Sequence, residues 1–324
     1  MTTPDRPRFP AIQTARELAE KVLPALQYLI AGLLPCGLYI CAGDPKLGKS
    51  LLWQSFGYDI AFGKPVFGAF DAGSGQVLYI NLEGGEVAFR HRQDKMLANA
   101  PKGDDGMDNF HVVYNAPQIG RGLEDCIRTW IEEQPNPRLI VIDTMSAVAP
   151  SLRGNDRHTE EYAMLRGLAD LTNDVPSIVI VLIHHTRKGE AEDTMHKISG
   201  SQGLTAATDG NMVLSRVPGA KKATLSIRPR NAEEAELTVV RDDATLTWQL
   251  MGDDERAQLS TPRQRILAVL DVAGAEGMTP SAVAAGAEMS YDSARQHLSS
   301  MAADGQVHKP ARGRYAAITT APLF

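Results

Sequence analysis

The chain has 324 residues, 43% hydrophobic and 22% charged, which is enough for about two domains with a real core. Its net charge of −6 excludes attraction to nucleic acid through overall charge, so any such contact has to come from local basic segments. The N-terminus predicts no signal peptide, no apolar run reaches the roughly 18 residues of a membrane span, and the three cysteines indicate free thiols. We therefore expect a cytoplasmic protein with no membrane partner.

Residues 1–24 form an N-terminal arm, and from 25 to 252 short Val- and Ile-rich runs alternate with helical segments. The runs lack strict polar alternation, which is typical of parallel strands buried on both faces. The predicted strands are Leu38–Ala42, Val77–Leu82, His111–Tyr114, Leu139–Asp143 and Ser177–Ile183. The predicted helices are Ser50–Phe62, Glu86–Asn99, Gly122–Glu133 and Glu160–Asn173. This alternation predicts an α/β fold with a mostly parallel sheet and right-handed crossovers.

After Ser201 the pattern changes to short segments with alternating polarity and turn residues between them. Such segments favour antiparallel hairpins that close the sheet. They are Asn211–Arg216, Ala223–Arg228, Glu236–Arg241 and Thr245–Leu250.

A polar linker at 253–260 precedes a small C-terminal unit at 261–324. Thr261-Pro262 and Thr279-Pro280 each combine a good N-cap with Pro at the first helical position. The predicted elements are helices at 261–273, 279–285 and 291–304 and a hairpin of 306–309 with 314–318. Three helices followed by a hairpin predict a winged helix-turn-helix domain.

The segment Gly43-Asp44-Pro45-Lys46-Leu47-Gly48-Lys49-Ser50 is a complete G-x-x-x-x-G-K-S motif. A predicted strand precedes it and a predicted helix follows, so backbone N–H groups and the helix N-terminus can surround a phosphate. We expect Lys49 to reach the β- and γ-phosphates of ATP and Ser50 to bind Mg²⁺. The predicted nucleotide contacts are Gly43, Asp44, Pro45, Lys46, Leu47, Gly48, Lys49, Ser50 and Leu51, with Lys46 facing solvent.

Three further strand ends carry polar residues. Asp143 ends an apolar run, as in a Walker B motif, and would hold Mg²⁺ through water, or else cap a turn. Glu83 follows the strand Val77–Leu82 and is placed to activate water, although a surface glutamate is the alternative. His184 and His185 end another strand and face opposite sides of it, which disfavours a shared metal. No N-K-x-D motif for guanine is present.

These motifs, in this order and spacing, resemble the RecA-like ATPases, in particular the RepA-type hexameric helicases. The resemblance covers about residues 25–250 and includes GDPKLGKS, VLYINLEGG, LIVIDTMSAV, VLIHHTRKG, ISGSQGLTAATD and SIRPRNAEEAEL. It implies a RecA-like fold and a homo-oligomeric, hexameric ring.

The resemblance also implies roles for single residues. Glu83 matches the catalytic glutamate, Asp143 the Walker B acid, and His185, or less closely His184, the sensor of the γ-phosphate. An arginine finger from the neighbouring subunit would complete each site, and Arg230 matches it best, with Arg228 as the alternative.

Two regions are candidate nucleic-acid contacts. In a RecA-like ring, the loops 146–159 and 186–199 would line the channel and bind single-stranded DNA through its phosphates. The third helix and the wing of the C-terminal unit could bind duplex DNA or a replication protein. The candidate residues are Arg153, Arg157, Arg187, Lys188, Lys197, Arg295, Arg312 and Arg314.

The leading hypothesis is an ATP-driven nucleic-acid motor, namely a RepA-like replicative DNA helicase encoded by a phage or plasmid, or a related RecA-like ATPase. The alternatives are a recombinase that forms filaments on single-stranded DNA and a DNA-binding regulator switched by ATP.

Overall fold

The computed structural model describes most of residues 12–251 and part of the C-terminal unit. The described ranges are 12–21, 26–98, 105–151, 157–185, 202–217, 220–251, 266–267, 269–270, 273–274, 277–287, 289, 291–303, 307–311 and 313–317.

A short helix and a small antiparallel pair precede the main sheet. Helix α1 (Ala15–Glu20) lies within the predicted N-terminal arm and begins with a capping box between Thr14 and Glu17. Strands β1 (Tyr28–Ile30) and β2 (Leu34–Pro35) pair with each other. None of these three elements was predicted from the sequence.

The central sheet of the described chain contains nine strands. They are β3 (Gly37–Gly43), β4 (Gln76–Asn81), β5 (Phe110–Val113), β6 (Pro137–Asp143), β7 (Val179–His185), β8 (Gly210–Ser215), β9 (Lys222–Pro229), β10 (Ala235–Arg241) and β11 (Trp248–Leu250). Their spatial order is β11-β10-β9-β8-β3-β7-β6-β4-β5. The strands from β8 to β5 in that order are parallel, which confirms the predicted mostly parallel sheet.

Strand β8 corrects one part of the prediction. It was expected to pair only in antiparallel hairpins, yet it is parallel to β3 on one side and antiparallel to β9 on the other. The reason is burial on both faces, because Met212 and Val213 point into the two opposite hydrophobic clusters that flank the sheet. Strands β9, β10 and β11 are antiparallel, as predicted.

Helices cover both faces of the parallel strands. The helices are α2 (Lys49–Ala61), α3 (Gly85–Met96), α4 (Leu123–Glu133), α5 (Met145–Val148), α6 (Arg157–Asp174) and α7 (Gln202–Ala206). Side chains of α2 and α3 join the cluster on one face, and those of α4 and α6 join the cluster on the other. The four long helices confirm the predicted helices, whereas the short α5 and α7 were not predicted.

The C-terminal unit has a hydrophobic cluster of its own, with Ile266, Leu298 and Tyr315 among its members. It contains α8 (Pro280–Gly286), α9 (Tyr291–Ala303) and an antiparallel pair, β12 (Val307–His308) and β13 (Ala316–Ala317). The Thr279 side chain caps α8, as the Thr-Pro pattern predicts. These elements agree in order with the predicted winged helix, but most of the predicted first helix lies outside the described residues, so the winged helix stays a prediction.

Among the described residues, no helix combines the length and apolar character that a membrane crossing requires.

Candidate nucleotide-binding site

The G-x-x-x-x-G-K-S segment forms the connection between β3 and α2, at the carboxyl edge of the parallel strands. Gly48 has a left-handed backbone with φ of 107°, which a residue with a side chain rarely adopts. At Gly43 a Cβ atom would lie only 2.4 Å from the carbonyl oxygen of Leu214. Both glycines are therefore required by the backbone path of the loop, and Lys46 is exposed, as expected.

Lys49 is buried within the loop that it belongs to, with 3% of its surface exposed. Its ammonium donates hydrogen bonds to the carbonyls of Gly43 and Asp44, at 2.7 and 3.0 Å. Burial lowers the pKa of Lys49, while the nearby Asp143 and Glu83 carboxylates oppose that shift. The carbonyls hold the ammonium near the loop in a position from which it can turn toward a bound phosphate.

Asp143 is buried at the end of β6, level with Asn81 at the end of β4. The hydroxyl of Tyr79 donates to its Oδ2 at 2.8 Å, while Oδ1 has no hydrogen-bond partner among the described residues. Burial raises the pKa of the Asp143 carboxyl, and the side chains of Ser50 and Tyr79 lower it in part. This carboxylate thus retains one buried acceptor that is not used within the described part of the protein.

That unused oxygen makes a test of the predicted magnesium site possible. A P-loop Mg²⁺ is held by the loop hydroxyl, the nucleotide phosphates and waters that a strand-end Asp binds, so it needs only Ser50 and Asp143 from this chain. The proximity of Ser50 to a carboxylate with an unused oxygen fits that requirement. The described residues contain no group of three or more His, Cys, Asp or Glu side chains that could hold a metal by themselves.

Glu83 and His185 meet at the same edge. The Thr144 hydroxyl donates to Glu83 Oε1 at 3.0 Å, and His185 Nε2 lies 3.6 Å from Glu83 Oε2. His185 Nδ1 lies 3.1 Å from the Lys49 ammonium, so it accepts that hydrogen bond and carries its own proton on Nε2. The structure therefore brings Lys49, Glu83, Asp143 and His185 together, as the sequence predicts.

The candidate finger residues lie elsewhere. Pro229, between Arg228 and Arg230, pairs with Gly210 at the start of β8, whereas Gly43 pairs with Leu214 near its end. Those positions are four residues apart, or about 13 Å along the strand. Arg230 donates to the carbonyl of Ala206 at 2.7 Å, and Arg228 Nε lies 3.3 Å from Glu234 Oε2. Neither arginine belongs to the site of its own chain.

Most of the predicted nucleic-acid contacts lie outside the described residues. This holds for Arg153, Arg187, Lys188, Lys197 and Arg312, and for the side chain of Arg157 at the start of α6. The predicted loop 146–159 is shorter than expected, since α5 and α6 occupy its ends. Arg295 is exposed on α9, and Arg314 donates to the carbonyl of Gly277 at 2.8 Å, which is a structural contact within the C-terminal unit.

Sequence reasoning missed two polar residues of this site. Tyr79 lies inside an apolar strand, where nothing in its neighbours distinguishes a site tyrosine from a core aromatic. Thr144 directly follows Asp143, so its position could have been recognised from the strand-end rule, although its contact with Glu83 spans 61 residues of sequence.

A phosphate-type loop between a parallel strand and its helix, with acids on adjoining strand ends, defines a P-loop nucleotide-binding domain. The chain belongs to the AAA domain family, which its residues 3–191 match. No curated protein matches the chain.

Two solved structures share the fold. One is described as an ATPase domain; it is 12% identical with a TM-score of 0.51, over 67% of this chain and 85% of that one. Another is described as a DnaB-like replicative helicase and its interactions with primase; it is 12% identical with a TM-score of 0.53, over 66% of this chain and 57% of that one. The chain thus spans little more than half of the second structure. These similarities establish the RecA-like fold.

Proposed function

We propose that the protein is an ATP-hydrolysing motor that acts on DNA as a ring of identical subunits, like the RepA-type hexameric helicases. The observation that carries this proposal is the division of the predicted catalytic groups between two opposite edges of one sheet. Lys49, Glu83, Asp143 and His185 lie at the phosphate-loop edge. Arg230 follows Pro229, which pairs with β8 about 13 Å along that strand from the residue level with Gly43. We propose that Arg230, which lies away from the site of its own chain, completes the site of a neighbouring copy.

Within one site, the residues of this chain divide the work of phosphoryl transfer. The loop amides and Lys49 bind the β- and γ-phosphates and stabilise the charge that develops on them. Glu83, held by Thr144 at 3.0 Å, accepts the proton of the attacking water. Ser50 and Asp143 would hold Mg²⁺, which screens the phosphate charge when it is bound.

His185 links the site to the segment that follows β7. It lies between the Lys49 ammonium and the Glu83 carboxylate, at 3.1 and 3.6 Å. When Lys49 turns to a γ-phosphate, His185 loses its hydrogen bond with Lys49. When the phosphate leaves, His185 regains that bond. We infer that this exchange reports hydrolysis to the loop 186–199, for which we propose contacts with single-stranded DNA through Arg187, Lys188 and Lys197.

The experiment combines hydrolysis with particle shape. We expect ATP hydrolysis by the purified protein to increase severalfold with single-stranded DNA, and electron microscopy with ATP and that DNA to reveal closed rings. Lys49→Ala is the control and should lose hydrolysis in both conditions. Hydrolysis that DNA leaves unchanged, together with a monomeric mass in ATP, would contradict the motor. Filaments in place of rings would instead support a recombinase.

A further inference from the structure

The last strand of the sheet contacts the phosphate loop through one side chain. Trp248 begins β11, which lies four strands away from β3 in the sheet, and it is 200 residues from Gly48 in sequence. Its indole Nε1 nevertheless donates a hydrogen bond to the carbonyl oxygen of Gly48, at 3.1 Å. The antiparallel strands must therefore curve over the beginning of α2 to deliver this contact.

The indole ring of Trp248 also covers the phosphate loop on the side that faces the hydrophobic core. Trp248 is 3% exposed and belongs to the same hydrophobic cluster as Leu47 and Leu52, which flank the end of the loop. A Cβ atom on Gly48 would lie 3.1 Å from the indole carbon Cζ2 and 3.4 Å from Nε1. The close approach of ring and backbone gives this contact a fixed geometry.

The hydrogen bond orients an amide that the phosphate needs. The carbonyl of Gly48 and the N–H of Lys49 belong to one planar peptide unit and point in opposite directions. An acceptor held on the protein side by Trp248, and also by the amide of Leu52 at 3.0 Å, therefore directs the Lys49 N–H toward the open side of the loop. That N–H is one of the donors with which a phosphate loop binds its anion.

We propose that Trp248 is a positioning residue for nucleotide binding, which acts through the Gly48–Lys49 peptide and makes phosphate affinity depend on the C-terminal antiparallel strands. This inference rests on the proposed nucleotide-binding function and adds a residue that lies outside every sequence motif of the site. It concerns binding of ADP and ATP alike, since both place phosphates in the loop.

The test is Trp248→Phe in the full chain, which keeps an aromatic ring and removes the N–H donor. We expect the Kd for a fluorescent N-methylanthraniloyl ADP, followed by anisotropy, to rise on the order of three- to tenfold, the effect of losing one hydrogen bond. In hydrolysis assays KM for ATP should rise by a similar factor with kcat little changed, because ground state and transition state lose the same contact.

The matched control is Leu250→Ala, which removes apolar contacts from the same strand and leaves the indole in place. It should lower the unfolding temperature while the Kd of the folded protein stays at the wild-type value. A wild-type Kd for Trp248→Phe, or an equal rise for both variants, would overturn the positioning role while nucleotide binding by the wild type stands. Failure of DNA to stimulate hydrolysis would instead contradict the proposed motor and leave this result unaffected.

Discussion

The two edges of the central sheet carry charged residues in contrasting surroundings. At the phosphate-loop edge, Lys49 and Asp143 are 3% and 1% exposed and make contacts over long sequence separations. At the opposite edge, Arg228 near the end of β9 and Arg230 in the bend that follows are both exposed, and they contact Glu234 and Ala206.

The difference is what the proposed shared site requires, because that site takes one half from each edge of the sheet. Buried charges need partners in their own chain, so the phosphate-loop edge is organised before any nucleotide or second subunit arrives. Exposed arginines hold their charge in water at little cost and can exchange their present contacts for those of a neighbour. Mutations at the two edges should therefore differ in what they do to stability, to hydrolysis and to assembly.

The largest effect is expected at the edge opposite the phosphate loop. Arg230→Ala should reduce hydrolysis by the assembled protein by about 10³-fold or more, since an arginine finger neutralises charge that develops in the transition state. The unfolding temperature should change little, because the side chain is exposed. Steady-state ATPase assays with thermal unfolding measure both quantities, and Arg228→Ala serves as the matched control with a smaller loss of activity.

Mixing separates a shared site from a local one. Subunits with Lys49→Ala still supply Arg230, and subunits with Arg230→Ala still supply Lys49, so a random mixture should contain about a quarter of complete sites. Activity that neither variant has alone should then return. If the mixture stays inactive although both variants assemble, Arg230 does not complete the site of a neighbouring subunit.

At the phosphate-loop edge, Glu83→Gln should lower kcat by about 10²- to 10⁴-fold, the usual contribution of a general base. The amide keeps the shape of the side chain and can still accept from Thr144, so nucleotide affinity should remain close to wild type. Single-turnover hydrolysis and binding of the fluorescent ADP measure the two quantities. A kcat within about tenfold of wild type would assign Glu83 to the surface-residue alternative.

The motifs of this chain predicted the residues at the phosphate-loop edge well because each motif is local in sequence. The G-x-x-x-x-G-K-S segment, the run before Asp143 and the strand before His185 each specify a strand end, and parallel strands place those ends together. The contacts from Trp248 to Gly48 and from Thr144 to Glu83 could not be predicted, because they depend on sheet curvature and on side-chain directions. Helix α1 was missed although Thr14 and Glu17 have capping-box spacing.

A smaller effect is expected from Thr144→Val, which keeps the shape of the residue and removes the donor to Glu83. We expect kcat to fall about tenfold, because a general base that loses its orienting hydrogen bond spends less time aligned with water. Glu83→Gln combined with Thr144→Val should then be no slower than Glu83→Gln alone. An additive loss in the double variant would mean that Thr144 acts independently of Glu83.

The smallest effect concerns the contribution of Asp143, at the phosphate-loop edge, to the free energy of unfolding. Burial raises the pKa of Asp143 above 3.8, its ordinary value, so the folded state holds that proton more tightly than the unfolded state. The free energy of unfolding should therefore increase as pH falls through the folded-state pKa toward 3.8, and the ionised form present at neutral pH is the less stable one. Asp143→Asn cannot ionise, so we expect its unfolding temperature at neutral pH, without nucleotide or Mg²⁺, to rise slightly above that of the wild type. Asp71→Asn makes the same change at an exposed site and should leave the temperature unchanged. A lower unfolding temperature for Asp143→Asn would show that the bond from Tyr79 outweighs the cost of burying the charge, and the two edges would then not differ in the way proposed.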